Sequence, residues 1–144
     1  VYLSYICNPL GGKKKLNYLK NKSKFNINGA ELLINNDLFA PSIHCSYYSV
    51  FQAMICVYCF KNGITFEEYN VEAKAHQGSS HNHLISGFCS LVTDKRASQF
   101  MRRKIGDLKV SRIKSDYDNF QVDSEFSLRA LSKAKELLLE FKNI

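Results

Sequence analysis

The sequence predicts an all-α protein, an up-and-down bundle of four long helices plus a short fifth helix. Three observations point there. The 144 residues include only two prolines and seven glycines, whereas a sandwich or barrel needs turn punctuation about every ten residues. The run PSIHCSYYSVFQAMICVYCF, Pro41 to Phe60, contains no Lys, Arg, Asp or Glu. Near the end, Leu128, Leu131, Ala134, Leu138 and Phe141 recur at helical intervals and line one face. A chain of this length makes one domain, residues 1–144, that can bury a core without disulfides or metal. No repeat, low-complexity stretch or Pro/Ser-rich linker divides it.

The first helix is expected from about Lys14 to Asn35, interrupted around Asn26, Asn28 and Gly29. Its second half is apolar at Ala30, Leu33, Ile34 and Leu38. The next helix is expected to open with Pro41 in its first turn, where the missing N–H is not needed. Ser42 is a candidate cap, with Asn36 or Asp37 as the alternative closure of the preceding turn. Ile43, Tyr47, Val50, Met54, Val57 and Tyr58 mark one face of this helix. Cys45, Ala53, Cys56 and Phe60 fill the other sides, so it is hydrophobic nearly all round. Asn62-Gly63 ends it, and Lys61 in the last turn suits the helix dipole.

Such a run is long enough to cross a bilayer, which takes about twenty residues. His44, Ser46, Tyr47, Tyr48, Ser49 and Gln52 crowd its first half, however, where lipid would penalise them. It therefore reads as a central bundle helix, and no membrane partner is expected. Adjacent helical positions lie about 100° apart, so only one of the paired tyrosines points squarely inward. Tyr47, on the Ile43–Met54 face, is the core member. Tyr48 is left to address a neighbouring helix, a dimer partner or the groove at Arg112.

Thr65 to Ala75 reads as a short helix or a loop, and HQGSSHNH as a polar loop. A helical pattern restarts from about Asn82 to Val92, and another carries Met101, Ile105 and Leu108 at intervals of four and three. SRIKSDYDNFQVD is expected to contain the next turn. Asp123 or Ser124 caps the final helix, with Lys133 and Glu136 paired on its solvent side.

The five cysteines, Cys7, Cys45, Cys56, Cys59 and Cys89, read as reduced thiols packed as small hydrophobes in a cytoplasmic protein. Cys56-Val-Tyr-Cys59 also has the spacing of a redox or zinc pair. A redox pair wants its first thiolate at a helix N-terminus, and these lie near the opposite end. Zinc would need two more ligands from His76, His81, His83 or Cys89. His81 and His83 themselves read as solvated imidazoles, with a metal or catalytic role as the rival. The opening VYLSYICNPLGGKKK has a short apolar part followed by its charges and no small-x-small site, which argues against a secretion signal. No cofactor is expected.

The net charge of +7 is unevenly spread. Lys13 to Lys24 holds six lysines and no acid, and Lys95 to Lys114 holds eight basic residues against Asp107 alone. The remainder is net negative. This asymmetry suits an anionic partner, phosphate backbones being the commonest; the alternative is a solvated basic face. Arg102, Arg103, Lys109, Arg112 and Lys114 are the candidate phosphate ligands. Arg112 stands apart because it is the next position on the Met101–Ile105–Leu108 stripe. An inward guanidinium is costly unless paired, and Asp116, four residues on, is within reach. Tyr117 follows. The pair either fixes the turn into the last helix or aims a guanidinium at a phosphate with a tyrosine beside it, and the two are compatible.

GAELLINNDLFAPSIHCSYYSVFQAMI, then SHNHLISGF, then SRIKSDYDN before an amphipathic last helix resembles the HEPN superfamily in its small stand-alone members. The resemblance covers roughly residues 25 to 142, leaving residues 1–24 outside. It implies a helical bundle, usually dimeric, often encoded with a nucleotidyltransferase partner in toxin–antitoxin systems. Many such proteins are metal-independent ribonucleases, in which an arginine and a histidine about four to six residues later stabilise phosphate charge and move a proton. Here Arg112 matches the arginine, but Asp116, Tyr117 and Asp118 occupy the later positions. The resemblance thus implies RNA or nucleotide binding at Arg112, with Tyr48, Asp116 and His81 at the groove or interface; the alternatives are a ribonuclease or a pure dimerisation and partner-binding module. Catalysis would rest on Arg112 with Tyr117, or with a histidine such as His44 or His81 from another helix.

Overall fold

The computed structural model describes residues 13–76 and 78–144. The readings made for Cys7 and for the segment preceding Lys13 lie outside the described residues. Among those described, six α-helices follow in order: α1 (Lys13–Asn35), α2 (Phe39–Asn62), α3 (Phe66–Ala75), α4 (Ser80–Ser90), α5 (Lys95–Tyr117) and α6 (Ser124–Glu140). A 3-10 turn, Phe141–Asn143, closes the chain. The bundle is all-α as expected. It has two short helices rather than one: Thr65 opens α3, which stops at Ala75, and α4 starts afresh at Ser80.

α2 is the centre of the bundle and touches every other helix. Among the described residues it is the one helix long and apolar enough to cross a membrane, and here it is sheathed by protein. Ile43, Tyr47, Val50, Met54 and Val57 are all buried, as are Ala53 and Cys56 on other sides, while Phe60 is exposed. Small polar residues let α1 approach α2 closely. Ser42, Ser46 and Ser49 are fully buried on α2, as are Ser23 and Ala30 on α1.

That seam explains why α1 runs unbroken through Asn26–Gly29. The Ser23 hydroxyl donates to the Ser49 carbonyl at 2.6 Å. The Asn26 amide donates to Lys22 O at 3.0 Å and to Gln52 Oε1 at 2.9 Å. Side chains that would favour a turn in isolation are satisfied across the helix pair instead.

Each connection has a local cause. α1 ends with Asp37 in left-handed backbone (φ 57°), and Leu38 N donates to Leu33 O at 2.9 Å, a Schellman closure. Leu38, not Ser42, occupies the cap position of α2, and Pro41 falls within its first turn. Gly63, also left-handed, ends α2. Thr65 caps α3 in a reciprocal box with Glu68. Asp94 caps α5 and Asp123 caps α6, each accepting from the backbone N–H three residues on.

α6 buries Ser127, Ala130, Leu131, Ala134, Leu137 and Leu138. Leu128, expected on that face, is exposed, because the stripe runs one position earlier through Ser127. The expected Lys133–Glu136 pair does not form. Lys133 instead binds Asp107 at 3.1 Å and Lys104 binds Glu136, so both charges tie α6 to α5. The Cys56 and Cys59 thiols are buried, directed at the carbonyls of Leu16 and Thr65 at 3.7 and 3.9 Å.

Candidate functional site

α5 places Met101, Ile105, Leu108 and then Arg112 on one inward stripe, and it persists to Tyr117 rather than breaking beforehand. Arg112 is therefore inside the protein, only 8 % exposed. Ser115 pins this end of α5, its hydroxyl donating to the Ala40 carbonyl at 2.9 Å at the start of α2.

The guanidinium sits among aromatic rings. Its carbon Cζ lies 5.2 Å from the Tyr47 ring centre, 5.8 Å from Tyr48 and 5.9 Å from Tyr117, all within cation–π range. Both members of the Tyr47–Tyr48 pair thus face Arg112: Tyr47 from full burial, Tyr48 from the edge. They are not alone on their helix. His44, Tyr47, Tyr48 and Phe51 stand at i, i+3, i+4 and i+7, so one face of α2 presents four rings to α4 and α5.

Two histidines complete the cluster. His81, read from sequence as part of a polar loop, is instead the second residue of α4, on the stripe it shares with Leu84, Ile85 and Phe88. Its ring stacks on Phe51 with centroids 4.3 Å apart, and its Nδ1 lies 2.6 Å from the Tyr47 hydroxyl. Burial holds the His81 imidazole at a pKa of about 4, and the Arg112 and Lys109 charges push the same way. Burial also raises the Tyr47 phenol, against a smaller opposing effect from the Arg112 charge. A phenol that keeps its proton donates it, so His81 Nδ1 accepts and the ring proton rests on Nε2.

His44 approaches from the other side. Asp116 Oδ2 lies 3.0 Å from His44 Nδ1 and 3.6 Å from an Arg112 terminal nitrogen. One carboxylate oxygen therefore serves both cations or donors, and the Arg112 contact is longer than a hydrogen bond. The Arg112 Nε is buried with no hydrogen-bond partner among the described residues. A guanidinium this enclosed is ordinarily paired through several N–H groups. Here the Nε–H is left without a partner.

The basic residues divide into two groups. Arg102 donates to the Ser86 hydroxyl at 3.1 Å and Lys109 to Asn82 Oδ1 at 2.6 Å, so both line the α4–α5 seam leading to Arg112. Arg103 and Lys114 are exposed and stand about half a turn round α5 from Arg112, on its far side, at about 100° per residue. The structure does not bring them to the site. His83, also on α4, stacks on His76 at 3.8 Å, apart from this cluster.

The inward position of Arg112 was readable from its stripe, and Asp116 from its spacing. His44, His81, Asn82 and Ser86 come from elements distant in sequence. His81 was expected at the groove or interface, and His44 as a histidine able to reach the site from another helix. The register that places them was readable as periodicity, since His81 precedes Leu84 and Ile85 by three and four, and His44 precedes Tyr47 and Tyr48 likewise. Compared with known proteins, the chain matches no family model, no curated protein and no solved structure.

Proposed function

We propose that the chain binds the phosphates of RNA or nucleotides, with Arg112 as the central ligand. One observation carries this reading: a nearly buried guanidinium whose Nε has no partner and whose nearest carboxylate is shared with His44. A phosphate oxygen would satisfy those donors with charge-assisted bonds. Arg102 and Lys109 along the seam supply the flanking positive charge. The HEPN-like resemblance supports the same reading, and with it a homodimer and a nucleotidyltransferase partner.

A second reading, metal-independent ribonuclease, is favoured by the two imidazoles beside the arginine. Arg112 would stabilise charge on the phosphorus oxygens while a histidine takes the 2′-hydroxyl proton; the 2′ oxygen bonds phosphorus as the P–O5′ bond breaks, and the 5′ oxygen leaves protonated by water. His81 is spent on Tyr47 and stays neutral. His44, partly in solvent and oriented by Asp116, is the residue for that role in place of the missing histidine after Arg112.

One experiment addresses both. Labelled single-stranded RNA is titrated with protein across a salt series containing EDTA, and the same mixtures are resolved on a denaturing gel. Three phosphate contacts predict a slope of about −2 for log K against log salt, falling to about −1.4 in Lys109→Ala. A flat salt response contradicts the binding reading. Fragments that vanish in His44→Ala support the ribonuclease, and RNA left intact over hours removes it.

A further inference from the structure

The outer edge of the Arg112 cluster has features that neither folding nor phosphate binding uses. Tyr117, the last residue of α5, is 74 % exposed, yet its ring centre stands 5.9 Å from the Arg112 Cζ. A tyrosine serving the core would be covered. A tyrosine on a solvated face has no need of a buried cation beside it.

His44 is the second such feature. Its side chain is 49 % exposed, but the ring is held at two points: by Asp116 at 3.0 Å and on the Tyr48 ring at 4.5 Å, with planes 32° apart. The Tyr117 ring thus stands beside a guanidinium that lacks a partner at Nε, and His44 stands across the Asp116 oxygen that both it and Arg112 approach. Rings held in water beside a donor-rich cation make a surface for a flat, apolar group attached to an anion. A nucleobase carried on its phosphate has that chemistry.

We propose that Tyr117 and His44 form a stacking platform for an unpaired nucleobase whose phosphate Arg112 holds, making single-stranded RNA the ligand class of this site. The inference rests on the phosphate-binding reading and deepens it. Stacking tolerates any base because every base has a π-face. It excludes a duplex, whose bases already stack on one another and whose A-form major groove is too narrow to admit side chains. The role falls to the Tyr117 ring and not to its hydroxyl.

The test compares three ligands of equal length, a single-stranded RNA, the same backbone without bases, and a duplex, by fluorescence anisotropy at one low salt concentration. The proteins are the wild type, Tyr117→Ala, Tyr117→Phe and Arg112→Lys, the last keeping the charge and losing the fork, each checked for helicity by circular dichroism. The expected result is that the base-bearing strand binds about tenfold more tightly than the abasic backbone or the duplex. Tyr117→Ala removes that advantage, and Tyr117→Phe, which keeps the ring, restores it.

Equal binding of base-bearing and abasic strands overturns the platform, as does a loss in Tyr117→Phe as large as in Tyr117→Ala. If in that case Arg112→Lys still weakens both strands, the phosphate reading survives alone. If Arg112→Lys changes no affinity, the phosphate reading has failed as well.

Discussion

At the scale of single residues, burial keeps the His81 imidazole neutral next to a guanidinium, and the Tyr47 hydroxyl bonds it in that form. The His81 pKa of about 4 lies below the ordinary value of 6.5, with burial as the main cause. Between those values the unfolded chain binds the proton and the folded chain does not. This contribution to stability is therefore complete above about pH 6.5 and is lost as the pH falls toward 4. Discounted for the ring's partial exposure to water, the loss is on the order of 1–2 kcal/mol. Urea midpoints measured from pH 7 down to 4 check it. The His81→Gln variant should show a shallower acid limb, and a limb of unchanged depth would contradict the assignment. The family resemblance placed His81 at the groove or interface, but the residues of HQGSSHNH did not, because their polarity masked a helical register. An isolated polar stretch reads as loop, and only packing against Phe51 and Tyr47 shows His81 to be an inward position.

At the scale of elements, α4 lies close on α2 because Gly87 leaves room for Tyr58. A Cβ at position 87 would stand 2.7 Å from Tyr58 Cε2, closer than carbon atoms pack. Gly87→Ala should cost about 1–3 kcal/mol in overpacking, offset in part by alanine's helix preference of about 1 kcal/mol. The net loss should be seen as a lowered Tm, and it should reverse in a Tyr58→Leu background where the ring is gone. The same change in both backgrounds would show that the contact does not govern the packing. Sequence reasoning found the limits of α2 because an uncharged run bounded by Pro41 and Asn62-Gly63 is unambiguous. It wrongly expected a break in α1, where Asn26 and Gly29 are turn-formers in isolation. Their local preference loses to the bonds that Ser23 and Asn26 make to α2. It also shifted the α6 face, because a fully buried serine, Ser127, is not an apolar mark.

At the scale of the whole molecule, charge and architecture converge on one end of the α2–α4–α5 seam. The bundle itself was legible, since sparse prolines and periodic apolar stripes leave few alternatives. Arg112 was legible as the one basic residue on an apolar stripe, whereas its surroundings depend on which faces of α2 and α4 meet it. The account stands on the Arg112 guanidinium being enclosed but not fully bonded, and so ready for a phosphate. The most direct test is the Arg112 Nε–H signal in a proton–nitrogen NMR spectrum, assigned by its absence in Arg112→Lys, as single-stranded RNA is added. A phosphate bound there predicts that this signal moves and exchanges more slowly with water as RNA saturates the protein. An unmoved Arg112 signal at saturation, with shifts confined to the exposed side of α5, would contradict the account.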